Sequence, residues 1–489
     1  MPLLREKIGY GLGDMASSMF WKVFSYYLPF FYSNVFGLRL ADAAMLVLVT
    51  RIWDALSDPM MGILADRTNT RWGKYRPYLL WIAAPFSICG IFLFTTPDWS
   101  YAGKLIWAYV TYILMMTVYT GINVPYGAML GVLSDNPKVK TVFSSYRMFF
   151  AYAGSFVALA VWQPLCDFFA GVEGFTVQKA WQGGMIVIAA ACFVLFICCF
   201  FLTREHIRSV SCVSVGKDFK SLLANRPWWI LIGAALCFNL FNTVRGAAVA
   251  YFFADVIGFD AVLNLPWGLK VLFYAGLFLS IGEVANMVGV SICVPISARL
   301  GKKRTFIFTN IWLCVLSVVF FFIPVTPAGY WLMLLLQIAI CILSGIMSPL
   351  IWSMYADVSD YSELKNGTAS TGLIFSSSSM AQKFGGAIGG AAVLWLLGAC
   401  GYITRMSTES DVVLAQPSSA ITCLWMLMSF IPAAVALIAV AVMTIYPLTP
   451  ERVEEIVSKL RERRLKPAGA TPGEAAAEGV MTDFADTNA

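Results

Sequence analysis

Arg51-Ile52-Trp53-Asp54-Ala55-Leu56-Ser57-Asp58-Pro59 places two carboxylates four residues apart inside an apolar run from Ala41 to Ala65. On a helix, residues four apart share a face. The run is long enough to cross a bilayer, and a carboxylate at that depth costs at least ~2.5 kcal/mol. Two on one face need a partner, and a monovalent cation or a proton is the simplest one. Ionisable groups within a membrane mark ion or substrate pathways by default. The stretch therefore reads as an ion-coupling site in a cation-driven transporter. The competing reading is structural, with Arg51 and other bases neutralising the pair as a fixed ion network.

Composition agrees with a membrane protein. Of 489 residues, 59% are hydrophobic and 13% charged, with mean hydropathy +0.74, whereas a soluble chain carries roughly a quarter charged residues. The apolar runs exceed the ~20 residues a spanning helix needs, which predicts an all-α membrane protein. A β-barrel would show segments of ~10 alternating residues instead. Met1–Lys7 is short and charged, and the first apolar run lacks a small-residue cleavage site, so no cleavable signal peptide is expected. The twelve cysteines show neither disulfide nor metal spacing and read as packing residues. No cofactor is implied beyond the coupling ion. The net charge of +6 is spread over loops and does not point to a nucleic-acid partner, so none is expected.

Working outward, twelve spans are predicted at 8–36, 41–65, 76–97, 103–133, 141–169, 181–203, 227–257, 269–299, 303–325, 328–356, 368–400 and 418–446. They form an N-terminal six-helix bundle (1–203), a cytoplasmic linker (204–226) and a C-terminal six-helix bundle (227–446). The tail, 447–489, reads as a short interfacial helix followed by disorder. With both termini cytoplasmic, 24 of the 34 Lys/Arg fall inside and five outside, as the positive-inside rule requires. The remaining five, Lys22, Arg51, Arg147, Arg245 and Lys383, lie within the membrane. The halves echo one another: Asp66 to Lys74 follows span 2 and Arg299 to Arg304 follows span 8. Likewise Leu133-Ser134-Asp135 ends span 4 and Val358-Ser359-Asp360 ends span 10. Such a repeat places a central cavity between the halves, with substrate near the midplane.

Gly62 to Lys74 resembles the conserved loop of the major facilitator superfamily. The opening nine-residue stretch, Gly9-Tyr10-Gly11-Leu12-Gly13-Asp14 and Ala356-Asp357-Val358-Ser359-Asp360-Tyr361 together resemble the glycoside–pentoside–hexuronide cation symporters, from span 1 to span 11. The resemblance implies a major facilitator fold and sugar uptake coupled to sodium or proton entry in a bacterial cytoplasmic (inner) membrane. It implies that Asp54 and Asp58 bind the cation (as metal ligands if the ion is sodium), with Ser57, Thr120 and Asn123 nearby. It implies that Arg147 and Lys383 line the sugar cavity. In the family's galactoside carrier, two aspartates hold sugar hydroxyls and a tryptophan stacks on the ring. Here Ser18, Asn123 and Gly127 stand at those places, which argues against a galactoside.

The missing aspartates remove two negative charges, while Lys22 lies one turn from Ser18 and Arg245 adds a further base. If Lys22, Arg147, Arg245 and Lys383 converge on one cavity, an anionic cargo is their natural partner. The sequence thus leans to an acidic sugar such as a hexuronide. The alternative is a neutral pentoside or glucoside, with Asp14, Asp255 and Glu283 neutralising the bases. Tyr119, Tyr26, Tyr126 and Trp352 are candidates to stack a sugar ring, and plain packing is the competing role for each. Span 11, with Ser376 to Ser379 and four glycines, suits close helix approach and offers hydroxyls. Asp66, Arg67, Arg71, Asp357 and Asp360 are expected to gate the cytoplasmic side; the rival view is a solvated loop serving topology.

The mechanism expected is symport by alternating access by a monomer in membrane lipid, with reciprocal tightening between ion and sugar. A lysolipid or drug carrier of the same superfamily is the rival from another transport class. An enzyme is not expected, since no nucleophile–base or metal constellation is found, and neither is a sensor, since the tail of about forty residues is too poor in apolar content to form a soluble domain. His206, the single histidine, lies in the linker, so a histidine proton relay is not expected.

Overall fold

Fourteen helices order the chain among the described residues of a computed structural model, 4–133, 137–206, 225–258, 261–264, 270–366, 371–404 and 415–465. They are α1 Leu4–Phe30, α2 Leu40–Arg67, α3 Arg76–Leu93, α4 Tyr101–Leu133, α5 Pro137–Ala170, α6 Val177–Leu202, α7 Arg226–Phe252, α8 Ala275–Leu300, α9 Lys302–Phe321, α10 Pro327–Asn366, α11 Thr371–Ala399, α12 Ser418–Met428, α13 Phe430–Thr444 and α14 Pro450–Leu465. A short hairpin pairs Val262–Asn264 (β1) with Lys270–Leu272 (β2). Most of the expected linker and of the C-terminal tail lies outside the described residues.

Ten of the predicted spans are long and apolar enough to cross a bilayer: α3 to α11, and α12 with α13 taken together. The count of twelve is not reached on that measure because α1 and α2 carry several charges each. They are nonetheless 27 and 28 residues long, or ~40 Å at 1.5 Å per residue, against a hydrocarbon core of ~30 Å. The last span breaks at Ser429, whose backbone leaves the helical region (φ −130°, ψ −85°). The eighth starts at Ala275 rather than 269, because Lys270–Leu272 is a strand. The tenth runs ten residues past its expected end and carries Asp357 and Asp360 on helix.

Local chemistry explains the ends. Asn225 and Thr176 cap α7 and α6, accepting from the backbone amides of Trp228 and Lys179. Pro77 and Pro227 sit in the first turns of α3 and α7, where a missing N–H costs nothing. Gly301, at φ 77°, makes the tight turn from α8 into α9. α1 and α7, the first helices of each half, both finish in a π turn, at Phe31–Val35 and Phe253–Ile257.

α1 to α6 pack mainly among themselves, as do α7 to α13. The halves meet along α2–α11, α5–α8 and α1–α7. The end of the bundle where α1 and α7 finish is closed. There Ser33 Oγ lies 2.7 Å from the Tyr251 hydroxyl, Phe30 and Tyr251 rings meet edge-on at 5.1 Å, and Tyr274 donates to the Ala160 carbonyl at 2.9 Å. Glycines allow the approach. A Cβ at Gly246 would overlap the Tyr26 ring, and one at Gly389 would sit 2.9 Å from Thr243 Cβ.

Candidate functional site

Asp54 is completely buried on α2, and its 3.6-residue periodicity carries Arg51, Ser57 and Asp58 round towards α4 and α11. Lys383 on α11 donates to Asp54 Oδ1 at 3.1 Å and also bonds Asp58 Oδ2. Thr120 Oγ1 on α4 lies 3.1 Å from both Asp54 Oδ1 and Asp58 Oδ1, so its single proton is shared between the carboxylates. Ser57 Oγ donates to the Asp54 carbonyl at 3.0 Å and reaches Thr120 Oγ1 at 3.3 Å. Arg51 Nη1 stands 3.9 Å from Asp54 Oδ2, and neither atom has a hydrogen-bond partner among the described residues. Arg51 is instead held by aromatic faces, 4.6 Å above Trp21 and 5.1 Å from Phe24.

The charges of this cluster close on themselves: Arg51 and Lys383 against Asp54 and Asp58. The Lys383 ammonium sits where a bound monovalent cation would gain most from the two carboxylates. The donor set of carboxylate and hydroxyl oxygens fits a hard cation, and Asp54 Oδ2 retains acceptor capacity for one.

Arg51 and Lys383 also line a cavity of about 260 Å³ between α1, α2, α4, α7 and α11. Trp21, Tyr112 and Tyr119 supply aromatic wall, and Trp21 and Tyr119 lie 5.0 Å apart at 30°. Asn123, Asn239, Thr243 and Gln382 supply neutral polar groups. The ion cluster and the cavity therefore share two side chains.

Not every expected residue reaches this cavity, and the convergence of four bases does not occur. Lys22 turns to α8, donating to Glu283 Oε1 at 2.6 Å and to the Tyr26 hydroxyl at 3.3 Å. Arg147 is held by Asp14 at 3.0 Å. Arg245 donates to Gln337 at 2.8 Å and lines a separate chamber of about 40 Å³ with Tyr26 and Glu283. Only Lys383 of the four faces the larger cavity. The reason is that acids 133 and 261 residues away in sequence are brought beside Arg147 and Lys22 by packing. Ser18 is half-buried on α1 and lines neither cavity. Asn123 lines the sugar-sized cavity. Tyr126 is core, stacked on Tyr10 at 4.8 Å and donating to its carbonyl.

At the other end of the bundle, Asp357 accepts from Lys302 at 2.7 Å, joining α10 to α9. Arg71 stacks on Trp72 at 4.6 Å, Arg67 is exposed, and Asp360 lies on α10. The side chains of Asp66 and of Ser376 to Ser379 lie outside the described residues. Sequence reasoning missed Glu205, whose carboxylate accepts the backbone amides of Lys74, Tyr75 and Arg76 at 2.7–2.8 Å. It thereby caps α3 and ties the 68–75 loop to the end of α6. A lone Glu in a linker gives no signal for this. Trp21, Asn239, Thr243 and Gln382 were also missed, because aromatic and amide side chains on spanning helices look like packing.

A family model described as MFS/sugar transport protein matches residues 9–450. Three curated relatives match over most of their length. One, described only provisionally as a glycoside/cation symporter of Escherichia coli (strain K12), is 37% identical over 97% of this chain and 98% of its own. An inner membrane symporter of the same organism is 33% identical over 94% and 95%. The isoprimeverose transporter of Lactiplantibacillus pentosus is 31% identical over 83% of each chain. Among solved structures, the nucleoside transporter NupG superposes with TM-score 0.63 at 12% identity, covering 91% of this chain and 100% of that one. A bacterial homologue of the human drug peptide transporters gives 0.64 at 12% identity, covering 93% and 99%. These last two bear on the fold alone.

Proposed function

The chain belongs to the MFS/sugar transport family, as a multi-pass, cation-coupled sugar symporter of the glycoside–pentoside–hexuronide type, and from that premise we propose that its cargo is a neutral glycoside of one or two rings. The observation that carries this reading is the lining of the 260 Å³ cavity by amides, a hydroxyl and aromatic faces. Its bases are already committed to Asp54 and Asp58, and Lys22 and Arg147 are taken by Glu283 and Asp14. Sugar rings pack their C–H faces on aromatic walls while their hydroxyls pair with amides. The volume lies just below the ~300–1,000 Å³ usual for ligand sites, which suits a small sugar. The relative described as an isoprimeverose transporter supports a neutral cargo.

The coupling ion, sodium or proton, binds at Asp54 and Asp58 with Thr120 and Ser57 beside it. It displaces the Lys383 ammonium, which then turns to the sugar in the adjoining cavity. Ion and sugar thus share one lysine, so each favours the arrangement the other needs. By linkage the tightening is equal in both directions. The relative described as an inner membrane symporter supports a bacterial inner membrane as its site, and the basic residues of its loops support both termini being cytoplasmic; in this reading the protein works as a monomer.

One observation favours the acidic sugar as a second reading. The cluster of Arg51, Lys383, Asp54 and Asp58 is neutral before loading and carries one positive charge after it. A uronide would restore neutrality. Uptake of isoprimeverose against a phenyl glucuronide, with and without a sodium or proton gradient, separates the two. Gradient-driven accumulation of the neutral disaccharide supports the first reading; accumulation of the glucuronide alone overturns it.

A further inference from the structure

The small chamber holds charges that symport at Asp54 and Asp58 does not use. Glu283, 3% exposed on α8, has Oε1 paired to Lys22 on α1. Its Oε2 is buried and accepts no hydrogen bond among the described residues. Arg245, 5% exposed on α7, has no carboxylate within ion-pair distance among those residues, and its Nη1 donates to nothing there. Its Nη2 donates to Gln337, and its guanidinium lies 5.2 Å from the centre of the Phe320 ring. Glu283 and Arg245 line the same 40 Å³ chamber.

Lys22 and Glu283 belong to opposite halves, whereas Arg245 and Glu283 belong to the same half. The Lys22–Glu283 pair lies two turns or so below the closed end, ~12 Å from the π turns of α1 and α7. Opening that end in an alternating-access carrier parts α1 from α8. A buried carboxylate stripped of its only partner is strongly unfavourable, so a bare latch would hold the halves shut.

We propose that Glu283 changes partner during transport: Lys22 holds it while this end is closed, and Arg245 receives it when the end opens. Arg245 is then a positioning residue that keeps Glu283 paired in both states. The exchange is local, since one carboxylate rotates within a chamber that its acceptor already lines. Its effect is to lower the barrier between the two faces without contact with the sugar or the coupling ion. The inference rests on the alternating-access reading, but its test needs no transported sugar.

Backbone hydrogen–deuterium exchange of the purified full chain in lipid nanodiscs reads opening at 31–36 and 253–258. Arg245→Gln should slow exchange there at least ~tenfold, because the open state leaves Glu283 unpaired. Arg245→Lys should restore it. In a Glu283→Gln background, Arg245→Gln should change nothing, since no carboxylate remains to receive. An equal effect of Arg245→Gln in both backgrounds, or none in the native one, overturns the proposal. Size-exclusion profiles screen out misfolded variants, and if Arg245→Gln fails that screen, Arg245→Met with the same cycle replaces it. Absence of glycoside uptake with the exchange cycle intact would count against the cargo assignment and leave the partner change standing.

Discussion

Lys383 is a tethered cation in the place the coupling ion is proposed to take, and this gives the residue-scale predictions. Lys383→Met leaves Asp54 and Asp58 facing Arg51 alone. The variant should be less stable without a cation and gain more from one, because ligand binding to the folded state stabilises by mass action. The apparent ion affinity should rise about tenfold, ~1.4 kcal/mol. Melting temperature against sodium at fixed ionic strength, and against pH, checks this; an unchanged ion response contradicts it. Asp54 and Asp58 were legible in the sequence because a charge at bilayer depth is rare and helical spacing says which charges share a face; Thr120 followed only from the family resemblance, and Lys383 was expected at the sugar cavity rather than on the two carboxylates. Lys22 misled for the same reason. Its acid lies 261 residues away, and no local pattern reports a long-range pair. Asn239 and Gln382 of the cavity wall were silent because an amide on a spanning helix carries no charge to account for.

At the scale of elements, close helix approach decides what is tolerated. Gly246 packs α7 directly on the Tyr26 ring of α1. Gly246→Val should lower stability by ~1–3 kcal/mol through overpacking, read as a drop in melting temperature in detergent, while Gly127→Ala, with no atom within 4 Å of its added methyl, should be silent. Glu205→Ala uncaps α3 and should cost ~0.5–2 kcal/mol. Proteolysis of the 68–75 loop should quicken with it; unchanged protection would show that the cap is dispensable. Hydrophobic runs located most of the spanning helices to within a few residues, since lipid demands apolar length; the tenth, whose last ten residues are mostly polar, and the eighth, whose start is a strand, were the exceptions. The hairpin at 262–272 and the break at Ser429 were not legible. The first is too short to show a period of two, and the second depends on how α12 and α13 pack on α7 and α9.

For the whole molecule, α1 to α6 and α7 to α13 pack mainly among themselves about a polar centre, and the repeated loop signatures point to two such halves. The sequence offered Asp14 and Glu283 as neutralisers of the interior bases only as the alternative reading, without saying which acid meets which base. Packing assigns one acid each to Lys22 and Arg147, two to Lys383 with Arg51, and none among the described residues to Arg245. The account's central claim is that the Asp54–Asp58 pair couples an ion gradient to sugar movement. Glycoside accumulation by proteoliposomes under an imposed inward sodium or proton gradient tests it, comparing the native chain with Asp54→Asn. The account predicts that the native protein concentrates the sugar, while Asp54→Asn admits it only to equilibrium and at a rate indifferent to the ion. Gradient-driven accumulation by Asp54→Asn at the native level would contradict it.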